Sequence, residues 1–120
     1  MSLHLELGQS VELAFQDALD ELEHRQDILI IRLRNGVTLE VRYAAADAYS
    51  LRWSYGDAES GIDTAPLHRD LATFPNHLHD AAGRIVADPV THPGASPEDN
   101  LHRLIRALLD EPMLGLKDPG

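Results

Sequence analysis

Apolar residues recur at two different periods along this chain. Val11, Ala14, Phe15, Ala18, Leu19 and Leu22 follow the i, i+3, i+4, i+7, i+8, i+11 spacing of one helical face, while Glu12, Gln16, Asp20 and Glu23 fall elsewhere. Ser10 is a suitable N-cap for that stripe, so the pattern predicts a helix over residues 10–24. From Ile28 to Tyr55 the period drops to two and Asn35-Gly36 marks a hairpin. Residues directly opposite on antiparallel strands share a face, which selects the loop. A two-residue loop would set Arg32 against Leu39 and Leu33 against Thr38. A three-residue loop, Arg34-Asn35-Gly36 with Gly36 left-handed as a bulge, pairs Leu33 with Val37, Ile31 with Leu39 and Leu29 with Val41. The bulged loop is the prediction. Tyr49, Leu51, Trp53 and Tyr55 continue the apolar face when Tyr49 pairs with Tyr43.

The other face of this meander carries Arg32, Thr38, Arg42, Ser50, Arg52 and Ser54, with Ile28 and Ile30 at one end. Further on, "RIVA" reads as a short fourth strand. Ser96 as N-cap, Pro97 at the first helical position and Glu98 and Asp99 in the first turn open a second helix. Leu101, Leu104, Ile105, Leu108 and Leu109 form its buried stripe, and Pro112 ends it. The expected fold is α+β. It has two layers, an antiparallel meander of three to four strands and an N-terminal and a C-terminal helix, in a single domain over residues 1–120. Its core spans about residues 10–111, and residues 112–120 form a loose tail.

Composition narrows the chemistry. The 120 residues hold 43% hydrophobic side chains, enough for one core. No apolar run approaches the ~18 residues of a membrane helix, and "MSLHLELGQS" lacks the order of a secretory signal, so no membrane partner and a cytoplasmic location are expected. With no cysteine, disulfides, thiolate ligands and a thiol nucleophile are excluded, and any metal must bind through histidine and carboxylate. A net charge of -10 opposes non-specific attraction to nucleic acid. The acids crowd the ends, however, and between Ile28 and Tyr55 arginine prevails. That arginine face is either a solvated surface or a patch for phosphates or an acidic partner.

The segment "GIDTAPLHRDLATFPNHLHD", residues 61–80, has neither a helical nor a strand-like rhythm and reads as an ordered polar loop. His77 and His79 sit two apart, so both project to one side of an extended backbone. With Asp63 or His68 folded alongside, they offer the nitrogen and oxygen ligands that zinc, manganese or nickel accept. Two neutral imidazoles near pKa ~6.5 also suit general acid and base work on a phosphodiester, with an arginine opposing the developing charge. The structural alternative is that Asp63 starts a turn and the histidines bond loop carbonyls. His24 and His102, on the polar sides of their helices, His4 near a terminus and His92 in a turn are read as solvated. Glycine-rich phosphate loops, nucleophile elbows and HExxH are absent from the sequence.

The stretches "YSLRWSY", "IDTAPLH" and "TFPNHLH", in that order, resemble a family of small prokaryotic proteins, the TumE-type toxin components of toxin–antitoxin pairs. The resemblance covers roughly residues 28–110. A first family segment like Asp-Asn-Ala-Pro-His-His keeps Asp63, Ala65, Pro66 and His68 here. A second, like Phe-Pro-His-His-Lys-His, keeps Phe74, Pro75, His77 and His79. Thr64, Leu67, Asn76 and Leu78 depart from it, removing two of the family's histidines and its lysine. The leading helix is less typical of the group. The resemblance implies a toxin neutralised by a small antitoxin, usually a helix-turn-helix protein, and by analogy an RNA target. In that expectation His68, His77 and His79 are the acid–base set, Asp63 orients one imidazole, Arg32, Arg42 and Arg52 receive phosphate, and no cofactor is required. Two alternatives stand beside it. One is a non-catalytic binding module that docks an antitoxin or another subunit. The other is a small hydrolase dependent on zinc or manganese held by His68, His77 and His79.

Overall fold

The computed structural model describes residues 2–114. In chain order the elements are α1 (Leu3–Phe15), β1 (Leu19–Arg25), β2 (Ile28–Leu33), β3 (Thr38–Ala45), β4 (Ala48–Tyr55), β5 (Ala58–Asp63), β6 (His77–His79), β7 (Ile85–Ala87) and α2 (Pro97–Asp110). The strands form one antiparallel sheet of seven, not three or four, in sequence order from β1 to β7. The α+β class and the flanking helices agree with the expectation.

The predicted helix over 10–24 is wrong in both its bounds and its cap. Ser2 is the N-cap, its hydroxyl accepting from the Leu5 N–H at 3.1 Å, and the helix closes at Phe15. Leu19 and Leu22 belong instead to β1, opposite core residues Leu33 and Ile31. Three residues apart on a regular strand they would face opposite sides. A bulge between Leu19 and Glu21 inserts the extra residue that returns both to the core. The result imitates the i, i+3 spacing of a helix. Two further strands were missed, β6 inside the polar segment and β5, which reads Ala-Glu-Ser-Gly-Ile-Asp and buries Ser60 and Ile62 on its inward side. Its composition is poor in the branched and aromatic residues that mark strands.

Where side-chain parity was the guide, the reading holds. Leu29 pairs with Val41, Ile31 with Leu39, and Tyr43 with Tyr49. The Leu33 N–H reaches the Val37 carbonyl at 2.9 Å, and Gly36 takes φ +99°, the positive value that the bulged loop requires. Asn35 secures the loop, its Nδ2 donating to the Leu108 carbonyl of α2 at 3.0 Å. Helix α2 begins as predicted, with Ser96 accepting from the Asp99 N–H. Leu101, Leu104, Ile105 and Leu108 are sealed in the core and Leu109 is partly buried against it. Burying each such side chain stabilises by roughly 1.5–3 kcal/mol. Of the tail, Pro112 is anchored, its carbonyl accepting from Trp53 Nε1 at 3.1 Å. Residues 115–120 lie outside the described residues.

Both helices join one core with Leu29, Leu39, Leu51, Ile62 and Leu78 of the sheet. The opposite face of the sheet therefore lies open. Three histidines read as solvated are engaged instead. His4 Nε2 accepts from the Tyr43 N–H at 3.1 Å, beside the bulge between Tyr43 and Ala45. The His24 ring packs so close to α1 that a Cβ at Gly8 would lie 2.8 Å from it. Ser10, expected at a helix start, instead joins the helices: its hydroxyl donates to Glu98 Oε1 at 2.7 Å and lies 2.7 Å from His102 Nε2. One hydroxyl proton cannot serve both partners, so His102 Nε2–H is the donor to Ser10.

Burial lowers the His102 pKa, with Arg106 adding to the effect and Glu98 and Asp99 opposing it. Below the ordinary value near 6.5 the unfolded chain therefore binds this proton before the native one does. The contribution of His102 is full above about pH 6.5 and is lost as the pH falls toward its lower native value. In urea denaturation from pH 7.5 to 5, the stability difference between wild type and His102→Gln is expected to decline below about pH 6.5 and to stay flat above it.

Candidate active site on the open face of the sheet

Antiparallel register assembles the site. Asp63 on β5 stands opposite His77 on β6, and Gly61 stands opposite His79. Ile62 and Leu78, which alternate with them, are buried in the core. Asp63, His77 and His79 thus project from the open face, the face of Ser50 and Arg52 on neighbouring β4. The polar segment is more ordered than a loop, since it contains the end of β5 and all of β6. Its middle, residues 64–76, folds over the sheet and leaves His77 only 1% exposed. It also delivers His68, whose ring meets that of His77 edge-on at 4.8 Å between centroids. The His77 and His79 rings are 4.7 Å apart. Imidazoles from both halves of the segment therefore converge.

Asp63 is the hub. Its Oδ1 lies 3.0 Å from His77 Nε2 and accepts from the Ala65 N–H at 3.0 Å, while Oδ2 lies 3.1 Å from His79 Nε2. One carboxylate thus holds two imidazoles, where the sequence suggested one, and caps the turn that starts the covering loop. His77 Nδ1 faces the Pro75 carbonyl at 3.2 Å. Among the described residues, the ligand atoms of Asp63, His77 and His79 all lie within 4.8 Å of one another. His68 falls outside that group, so the ligand set drawn from sequence exchanges His68 for Asp63.

The arginines divide. Arg32 is tied up by Glu21 and Glu23 at 3.1 and 3.3 Å. These acids come from β1, the strand misread as helix, and they engage the guanidinium that the sequence reading offered to phosphate. Arg42 and Arg52 form no ion pair among the described residues. Arg42 shares the row Arg42, Ser50, Asp63, His77 but stands two strands from Asp63. Arg52 is closer. With His79, Asp63, Ser50 and Glu59 it lines an open cleft of about 440 Å³. Gly61 makes room for it: a Cβ there would lie 3.3 Å from Arg52 Cγ.

On the core side, where the covering loop rejoins the sheet, is a buried network that the sequence did not announce. Asn76 Nδ2 donates to Tyr49 Oη, Asp88 Oδ2 and the Thr91 carbonyl at 2.9 to 3.1 Å. Tyr49 Oη is 2.8 Å from Thr91 Oγ1, which in turn donates to Asp88 Oδ2. Burial raises the Tyr49 pKa, so its phenol keeps the proton it contributes here. Thr73 adds a backbone tie on each side, donating to the Asn76 carbonyl and accepting from the Asp88 N–H. These contacts fix the residues preceding His77, including the Pro75 carbonyl that faces its ring. After His79, Asp80 closes the β6–β7 turn by accepting from the Ala82 and Arg84 N–H groups and from Arg84 Nε. The one available signal was turn-forming Asp at positions 80 and 88.

An α+β protein with an imidazole–carboxylate cluster on the open face of its sheet is the class these features define. The chain matches the family model described as Toxin TumE over residues 6–112, and it belongs to that family. The match reaches beyond the span of the resemblance to take in most of α1 and all of β1. No curated protein and no solved structure matched the chain.

Asn76 ties the covering loop to Tyr49, Asp88 and Thr91. Asn76→Ala is expected to destabilise the protein by about 1–3 kcal/mol, because Asp88 and the Thr91 carbonyl lose a buried donor. Urea denaturation monitored by Trp53 fluorescence measures it.

Proposed function

We propose that the protein is the toxin component of a toxin–antitoxin pair and that it cleaves RNA without a metal cofactor. The observation that carries this reading is the convergence of His77 and His79 on Asp63, with the His68 ring against His77, beside a cleft that Arg52 lines. Half-exposed at the cleft, His79 is the group positioned to meet substrate. Its Nε2–H donated to Asp63 fixes the tautomer and leaves Nδ1 to act as base, the logic of a carboxylate-oriented imidazole. His79 takes the proton of a ribose 2′-hydroxyl, and the 2′-oxygen bonds to the adjacent phosphorus. The bond from phosphorus to the 5′-oxygen breaks, and His68 returns a proton to that oxygen. Arg52 opposes the charge that builds on the phosphate. His77, sealed from solvent, positions Asp63 and His68 and does not touch substrate.

The family implies an antitoxin partner. We place a small helix-turn-helix protein in that role, and covering the cleft is the simplest way for it to silence the site.

A non-catalytic reading draws on the burial of His77 and its contact with the Pro75 carbonyl, which suit a brace for a docking loop. Cleavage of a single-stranded RNA oligonucleotide in EDTA decides between them. The expected result is a bell-shaped rate profile between about pH 5 and 8, a fall of about 100-fold or more in His79→Ala, and no cleavage at a 2′-deoxy position. Intact RNA with folded wild-type protein would refute the catalytic reading.

A further inference from the structure

His77 faces a hydrogen-bond acceptor at each ring nitrogen, the Pro75 carbonyl at 3.2 Å from Nδ1 and Asp63 Oδ1 at 3.0 Å from Nε2. A neutral imidazole carries one N–H, so both acceptors are served only by an imidazolium or by a cation that takes the lone pair of one ring nitrogen. With the Nδ1 proton donated to the Pro75 carbonyl, Nε2 carries a lone pair 3.0 Å from a carboxylate oxygen, in a side chain only 1% exposed. From the other side His79 Nε2 stands 3.1 Å from the second oxygen of the same carboxylate.

This is the arrangement of a metal site. Nitrogen and oxygen ligands at ~2.0–2.1 Å from a tetrahedral ion stand about 3.3 Å from one another. The two contacts to Asp63 are within a few tenths of an ångström of that, and the three ligand atoms, all within 4.8 Å of one another, would draw together around the ion. A backbone carbonyl holding the far nitrogen of a ligating histidine is the usual outer support of such a site. Two imidazoles select zinc, cobalt or nickel over magnesium and calcium.

We propose that Asp63, His77 and His79 bind a zinc-class divalent ion whose fourth position opens into the Arg52 cleft, and that its binding inhibits the enzyme. The ion takes the Nε2 atoms through which Asp63 orients the rings, so the acid–base set can no longer pass protons. Binding stands apart from the RNA reading, and only the inhibitory consequence rests on it.

Calorimetric titration of the EDTA-stripped, dialysed full chain with zinc chloride, paired with thermal denaturation, tests binding directly. The expected result is one equivalent per chain and a raised Tm, with no shift from magnesium chloride. His79→Ala, at a half-exposed position, is expected to weaken binding about tenfold or more, as is Asp63→Asn, while His92→Ala matches wild type. Absence of saturable zinc binding, or binding undiminished in folded His79→Ala, would overturn the site. In the RNA assay one equivalent of zinc is expected to cut cleavage about tenfold or more, reversibly with EDTA. Cleavage that persists with zinc bound overturns the inhibitory role. Failure of the metal-free protein to cleave RNA bears on the RNA reading alone, because the titration needs no substrate.

Discussion

The chemistry of the open face depends on one carboxylate being shared by two imidazoles. Asp63 is partly buried, its side chain 29% exposed, and each of its oxygens has a histidine nitrogen within about 3 Å. Contacts of this kind strengthen as water is excluded, and a charged acceptor makes them stronger than neutral ones. They exist only because β5 and β6 pair with Asp63 opposite His77. A one-residue slip would turn both histidines into the core and Leu78 out of it. The apolar anchor Leu78, at 2% exposure, therefore guards the register that the polar cluster requires. Packing on one side of the sheet enforces chemistry on the other.

What the sequence disclosed follows from how local each determinant is. The meander was legible because alternation, an Asn-Gly turn and pairing parity all act within a few residues, and α2 because its cap, proline and acidic first turn are contiguous. Residues 19–25 were not legible, because the bulge after Leu19 reproduces helical spacing on a strand. Within the site, the two-residue interval put His77 and His79 on one side. The double role of Asp63 depends on a register set across thirteen intervening residues, and no local pattern encodes it. Misreading β1 also hid the acids that neutralise Arg32.

The departures from the family's segments take on definite roles. Leu67 is 74% exposed on the covering loop. Asn76 turns into the Tyr49, Asp88 and Thr91 network, and Leu78 fills the core. None of the three faces the Asp63 cluster. The rings that meet there are those of His68, His77 and His79.

Arg32, held by Glu21 and Glu23, has a wider consequence. With one end of the sheet silenced, the unpaired guanidinium groups of the meander's open face, Arg42 and Arg52, sit on β3 and β4, toward the imidazoles, within a chain of net charge -10. Beyond the ~8 Å Debye length of physiological salt that net charge is largely screened, and inside it the net charge opposes a polyanion. Close up, Arg52 shares its cleft with Glu59 and Asp63, so the positive charge there is local. Such a surface gains little from long-range steering, and whatever binds it is selected by shape and close contact.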